Sequence, residues 1–344
     1  MITIKPQSLQ NKLPNASTVT TLYGTVTITE PVLIELLHSP SMKRLEHINQ
    51  YGITPFIKNL PPYSRYTHSV GVMVLLRLYG APLEEQIAGL LHDVSHTVFS
   101  HVGDFLYTAS HNDSYQDSIH HWFIEQTELK ALLHKYGYEI ADIIHKSGEF
   151  KLLEQDIPEI CADRLEYVLF GGQLKNIITK EDITYLLSHL KTKNDQWYFD
   201  DVHAARLFAD CALSLTKNEF ASASGLITYK WAAQALHRAC AIDLINKHDI
   251  HFSIDDVVWQ KLTSCNDPEI KGHMHKLKNF MDIICLSTKD DYDIHMIGKF
   301  RGINPLVLQG TTLKRLTECD HAFKHEFEKV QDIIAQGWYI KCRP

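Results

Sequence analysis

The chain has 344 residues, 44% hydrophobic and 22% charged, with a formal net charge of −7 at pH 7. That balance suits a globular protein with one large core or two modest ones and excludes a surface coated for nucleic acid, although a local basic pocket could hold phosphates. No apolar run reaches membrane-spanning length, Met1 to Pro6 lack the basic-then-apolar order of a signal peptide, and seven scattered cysteines without CxxC spacing read as reduced thiols, so a cytoplasmic protein is expected.

Residues 18–29 are β-branched around Gly24 and predict a small hairpin. Pro31 opens a helix carrying Leu33, Ile34, Leu36 and Leu37, and a second follows Ser39-Pro40-Ser41. The loop Asn59 to Tyr63 leads to His68, and residues 70–78 are apolar nearly all round, as in a buried helix. Ala81-Pro82-Leu83-Glu84-Glu85 starts the next helix, with Ile87, Leu90, Leu91 and Val94 as its core face. Pro158 is expected to open the helix holding Asp163, and Gly171-Gly172 to close it. Beyond residue 200 the pattern predicts helices over roughly 202–220, 226–247, 254–264, 269–287 and 311–335. Two extended pieces, 299–303 and 338–342, are expected to pair as strands. Residues 1–200 read as a core and 201–344 as a helical extension packed on it.

Four side chains carry the chemistry: His68, the adjacent His92 and Asp93, and Asp163. Each alone has a plain reading. His68 fits a core histidine, the His-Asp pair a solvated helix face, and Asp163 a salt bridge to Arg164 or Lys175. Together, two imidazoles and two carboxylates without a thiolate suit a catalytic divalent ion (Mn²⁺, Fe²⁺, Mg²⁺ or Ni²⁺) rather than a closed structural zinc site. Four ligands on a six-coordinate ion leave positions for water and substrate, which points to hydrolysis. His92 and Asp93 are expected to leave one helix about 100° apart.

The stretches Arg65-Tyr66-Thr67-His68-Ser69-Val70-Gly71-Val72, Leu91-His92-Asp93-Val94-Ser95-His96-Thr97-Val98-Phe99-Ser100-His101 and Ala162-Asp163-Arg164-Leu165-Glu166-Tyr167 resemble the HD-domain phosphohydrolases. They are most similar to the deoxynucleoside triphosphate triphosphohydrolase branch. Pro31-Val32-Leu33, Arg44-Leu45 and Ile48-Asn49-Gln50-Tyr51-Gly52 extend the likeness over about residues 20–170. The resemblance implies a mainly α fold: an HD-domain helical bundle with a small N-terminal β-hairpin and a C-terminal helical extension. It assigns the metal to His68, His92, Asp93 and Asp163, the phosphate site to His96 and His101, and the orientation of His101 to Asp104. Arg65 would contact phosphate, and Gln50 and Tyr167 would line a sugar pocket.

Departures qualify that assignment. Gln116-Asp117 falls where many relatives carry a His-Glu pair, so His120 one turn later, or His111 on the preceding loop, becomes the candidate general acid. Gly171 stands where the triphosphohydrolases place an aspartate that helps read a 3′-hydroxyl, and Ser95 and Thr97 replace the usual glycines. The expected function is a metal-dependent phosphohydrolase cleaving a phosphoester or phosphoanhydride bond of a nucleotide, with deoxynucleoside triphosphates as the finer reading. The alternatives are a phosphomonoesterase or cyclic phosphodiesterase on a small substrate, and a non-catalytic nucleotide-sensing module. The expected partner is a nucleotide or other phosphorylated small molecule, with neither membrane nor nucleic acid. Relatives assemble through helical faces, so a homo-oligomer is compatible, although no heptad run demonstrates one. Lys299, Arg301, Lys314 and Arg315 could reach an active site or an effector, but a solvated basic face is the expectation.

Overall fold

The computed structural model describes residues 15–108, 114–144 and 149–343. Its N-terminal hairpin pairs Ser17–Thr21 with Gly24–Ile28 in antiparallel register, and Gly24 takes the positive φ that the tight turn requires. Pro31–Leu37 and Pro40–Arg44 follow as short helices with proline in the first turn, where the missing N–H costs nothing. Ser39 caps the second through the Met42 amide.

The centre of the molecule is the helix Arg65–Leu78, capped by Ser64 and buried continuously from His68 to Leu76. It packs against Leu83–Leu91 and Ala162–Leu174, so three helices share the apolar interior that surrounds His68. The Leu83 helix ends one residue before the His-Asp pair. His92 is its C-cap and Asp93 lies in the following turn, so the pair leaves a helix terminus rather than a helix face.

Pro158 does not open the Asp163 helix. Cys161 is its N-cap, and the Ala162 amide donates to Leu152 O at 2.7 Å, which satisfies one of the first-turn donors. The helix also runs past Gly171 and Gly172 to Leu174. These glycines give side-chain room, to Tyr51 and Cys211 respectively, instead of a stop.

The second half is helical with short strands that hydrophobic period alone did not predict. The 202–220 stretch is an α-helix, Val202–Leu215, continued by a π-helical turn, Thr216–Phe220. Ala223–Ala241 begins earlier and ends earlier than expected, and Asp255–Ser264 agrees with expectation. The 269–287 stretch breaks at Asn279 into Pro268–Lys278 and Phe280–Ile283, and its end is the strand Ile284–Leu286. In place of one helix over 311–335 stand the strand Thr312–Arg315, a turn Leu316–Cys319, and the helix His321–Gln336 capped by Asp320.

Residues 299–303 form no strand, whereas Trp338–Cys342 pairs with Ile284–Leu286 and Ile294–Met296. A second sheet runs Leu190–Lys193, Gln196–Phe199, Leu306–Gln309, Thr312–Arg315, and its parallel central pairing ties residues 198–199 to 306–307. The fold is mainly α, and among the described residues no helix is long and apolar enough to cross a membrane.

Candidate metal centre and substrate cavity

Helix packing brings the separated ligand candidates to one point. His68 Nε2 lies 3.2 Å from His92 Nε2 and 2.9 Å from Asp163 Oδ1, and His92 Nε2 lies 3.5 Å from the same oxygen. Asp93 stands beside them, with Oδ2 3.6 Å from His68 Nε2 and Oδ1 3.6 Å from His92 Nε2. Neighbouring donors on a six-coordinate ion with bonds of about 2.1 Å stand about 3 Å apart. The separations among His68, His92 and Asp163 therefore suit ligands of one divalent cation, with Asp93 adjacent to that group. Asp163 meets the histidines rather than Arg164 or Lys175; those cations pair with Glu154 and Glu219.

The electrostatics also call for a cation. Burial opposes charge on His68, yet the Glu166, Asp163 and Asp93 carboxylates hold its pKa up at about 10. Burial likewise works against ionised Asp93, but Arg65 and the neighbouring histidines keep it well below the carboxylate range. The carboxylates that hold a proton on His68 are charges that a metal ion bound in place of that proton would neutralise.

Glu166 is a residue that the sequence reading quoted but did not assign. Its Oε2 bonds His68 Nδ1 and accepts from the Tyr63 hydroxyl, all three groups being buried. Such a carboxylate fixes the tautomer and orientation of a ligating imidazole. The available signal was spacing: Glu166 is three residues after Asp163, and Gly71 three after His68. A methyl group at Gly71 would lie 2.6 Å from Glu166 Oε1, so that glycine clears the space the carboxylate fills.

The turn after Asp93 carries the phosphate-site candidates. His96 Nε2 lies 3.2 Å from Asp93 Oδ1, and burial and Arg65 push its pKa down to about 3. His101 stacks edge-on against it at 5.1 Å and bonds Asp104 Oδ2 through Nδ1 at 2.9 Å. Burial raises the Asp104 carboxyl but the bond to His101 outweighs it, leaving a lowered pKa.

The left-handed residues of this turn are Phe99 (φ 57°) and Ser100 (φ 52°), so Ser95 and Thr97 need not be glycine. That conformation is held from outside. The buried Asp255 accepts the Phe99 amide at 2.7 Å and the Asn49 amide at 2.8 Å, Ser100 Oγ donates to Asn49 O, and Arg44 Nη2 donates to the carbonyls of His96 and His251.

Arg65 is spoken for locally: Nη1 bonds Asp93 Oδ2 at 2.5 Å and Nε bonds Ser100 Oγ at 2.8 Å. Its Nη2 is buried without a protein partner. Gln116 donates to His92 O at 2.7 Å and to Ser95 Oγ at 3.0 Å, and the same Ser95 Oγ bonds His120 Nδ1 at 2.9 Å. His120 is thereby tied to the metal-side turn, and burial and the charge of His92 lower its pKa to about 4. His111, the other candidate acid, lies outside the described residues.

Beside this cluster opens a cavity of about 110 Å³ lined by Gln50, Tyr167, His101 and Asp104 together with Tyr51, Tyr63, Phe105, Phe220 and Tyr229. Residues 219–229 and 297–301, which sequence reading did not place at the site, form much of its wall. Lys299 and Arg301 line the cavity, Lys299 while remaining exposed; Arg315 pairs with Glu159, and Lys314 is exposed. At Gly171 a methyl group would lie 2.5 Å from Tyr51 Oη, so the tyrosine occupies the room an aspartate would need.

The HD domain family matches residues 65–170. Protein YdhJ of Bacillus subtilis is 33% identical over 312 residues, covering 90% of this chain and 94% of its own. The metal-dependent phosphohydrolase cns2 of Cordyceps militaris is 29% identical over 263 residues, 75% of this chain and 76% of that protein. A solved phosphohydrolase from Bacteroides thetaiotaomicron superposes with a TM-score of 0.66 at 14% identity, over 95% of this chain and 99% of that one, a likeness of fold alone. With the match centred on the residues that converge around His68, the chain belongs to the HD-domain superfamily of metal-dependent phosphohydrolases.

Proposed function

We propose that this phosphohydrolase cleaves a phosphoester or phosphoanhydride bond of a nucleotide, with a divalent cation held by His68, His92, Asp93 and Asp163. The observation that carries the reading is the convergence of ligating atoms from His68, His92 and Asp163 within 4.8 Å beside an aromatic-walled cavity. A cation bound there supplies polarisation of a phosphoryl oxygen and a lowered pKa for bound water. Arg65 keeps Asp93 ionised and aimed, and its unpartnered Nη2 is the donor left for a phosphoryl oxygen. His96 and His101 face the same group, with Asp104 fixing His101 through Nδ1. His120, anchored by Ser95 at Nδ1, is the candidate proton donor to the leaving oxygen, a role that requires bound phosphate to raise its lowered pKa.

The cavity supports the nucleotide assignment. Six rings, Tyr51, Tyr63, Phe105, Tyr167, Phe220 and Tyr229, line it, and flat apolar walls suit a base while Gln50 offers polar contact to a sugar. Residues 1–200 would then supply the bond-breaking groups, and residues 201–344 much of the nucleoside wall. A screen of nucleotides with Mn²⁺-saturated protein, scored for orthophosphate and tripolyphosphate release, tests the reading. Unchanged turnover in His92→Ala/Asp93→Ala would refute it. A phosphomonoesterase or cyclic phosphodiesterase on a smaller substrate is the second reading, favoured by Gly171, and orthophosphate release without tripolyphosphate would select it.

A further inference from the structure

We propose that Lys299 and Arg301 form a clamp for a phosphate group other than the one being cleaved, so that the substrate is a polyphosphate ester rather than a monophosphate. The proposal rests on the phosphohydrolase reading above and refines its substrate class. Its basis is the path of residues 297–301, which join no sheet and alternate between lining the cavity and packing against the protein. Alternate side chains of an extended segment face opposite ways. Ile297, Lys299 and Arg301 line the cavity. The intervening residues face the body of the protein: a methyl group at Gly298 would lie 2.6 Å from Ala221 Cβ, and Phe300 packs edge-on against Phe327 at 5.2 Å. The Ala221 carbonyl is itself held by Trp338 Nε1 at 2.5 Å. Two cations are thus presented from a backbone fastened on its other side.

Both charges share the cavity lining with His101 and Asp104 of the candidate phosphate site. Lys299 is within electrostatic reach of Asp104 and Asp117, and Arg301 of Tyr167 and Tyr229. Among the described residues neither cation forms an ion pair, whereas Arg164, Lys175 and Arg315 all do. Placing two like charges side by side in a partly desolvated cavity is unfavourable until an anion arrives. The scissile phosphoryl group already has its own partners in the metal ligands, His96 and Arg65. A monophosphate therefore leaves the pair unused, and a further phosphate satisfies it. Lys58, on another part of the wall, sits over Phe280 with Glu219 as its acidic neighbour and is not part of the clamp.

Calorimetric titration with inorganic tripolyphosphate and with orthophosphate, each in saturating Mg²⁺, tests this on the native chain and on Lys299→Ala/Arg301→Ala. The native protein is expected to bind tripolyphosphate at least tenfold more tightly than orthophosphate. The double variant should lose at least tenfold for tripolyphosphate and less than twofold for orthophosphate. Equal weakening of both ligands, or no change in either, overturns the clamp. Single Lys299→Gln and Arg301→Gln variants with a native melting temperature guard against misfolding and should each show part of the loss. If no nucleotide is turned over by the native enzyme, the nucleotide assignment falls, while the tripolyphosphate contrast still decides the clamp.

Discussion

Replacing Gly71 with alanine is expected to loosen the metal centre from one helical turn away. The added methyl would lie 2.6 Å from Glu166 Oε1 and 2.7 Å from Glu166 Cγ. An ordinary carbon–oxygen contact is about 3.3 Å, so the carboxylate must retreat by about 0.7 Å. It has little room, because Glu166 is buried and bonded to both His68 and Tyr63. Overpacking costs about 1–3 kcal/mol, and weakening a hydrogen bond to a charged group about 1.5–3 kcal/mol. Better helix propensity returns about 1 kcal/mol, for a net loss near 3 kcal/mol. His68 loses its orientation, so Mn²⁺ affinity should drop about 10–100-fold. Urea unfolding with and without Mn²⁺, together with a calorimetric Mn²⁺ titration, measures both effects. Adding Glu166→Asp, one methylene shorter, should recover part of the stability. A Gly71→Ala protein that unfolds at the native urea concentration and binds Mn²⁺ unchanged would refute the packing argument.

Chelation should lower the melting temperature and Mn²⁺ restore it, by about 5 °C at a hundredfold excess over Kd, with no response in His92→Ala/Asp93→Ala; differential scanning calorimetry reads this. Burial pushes the Asp255 carboxyl up to about 6 despite its amide donors. A folded-state pKa above the unfolded value near 4 means that the folded protein holds the proton more tightly. The contribution is fully present below about pH 4 and is lost as pH rises through 6, a change of about 3 kcal/mol, and Asp255→Asn should flatten that slope in urea titrations at stepped pH. Gly171→Asp should destabilise the fold by about 2–4 kcal/mol rather than confer deoxynucleotide preference, and Tyr51→Phe, which removes the blocking hydroxyl, should relieve part of the loss.

The candidate metal ligands were legible because their residue types are chemically restrictive: a His-Asp pair ending an apolar helix and an aspartate opening another have few inexpensive explanations. Glu166 was not, since a glutamate inside a buried helix reads as some ion pair until the partner helix is known. Why Ser95 and Thr97 can replace the family's usual glycines was not legible for a related reason. The left-handed residues are Phe99 and Ser100, and what holds them, Asp255, is 156 residues away along the chain. At 299–303 the expected strand pairing did not form, because the neighbouring Gly298 and Phe300 pack against Ala221 and Phe327 instead of a strand. The four-residue strands at 190–199 and 306–315 are too short for periodicity to distinguish.

The cavity wall built by residues 219–229 and 297–301 stands apart in sequence from the 65–170 stretch that holds the reacting centre. Descendants of one ancestor can therefore exchange what they admit while leaving bond breakage untouched, through changes in a handful of wall positions. Kinship judged on the catalytic stretch will forecast the kind of reaction more faithfully than the molecule consumed.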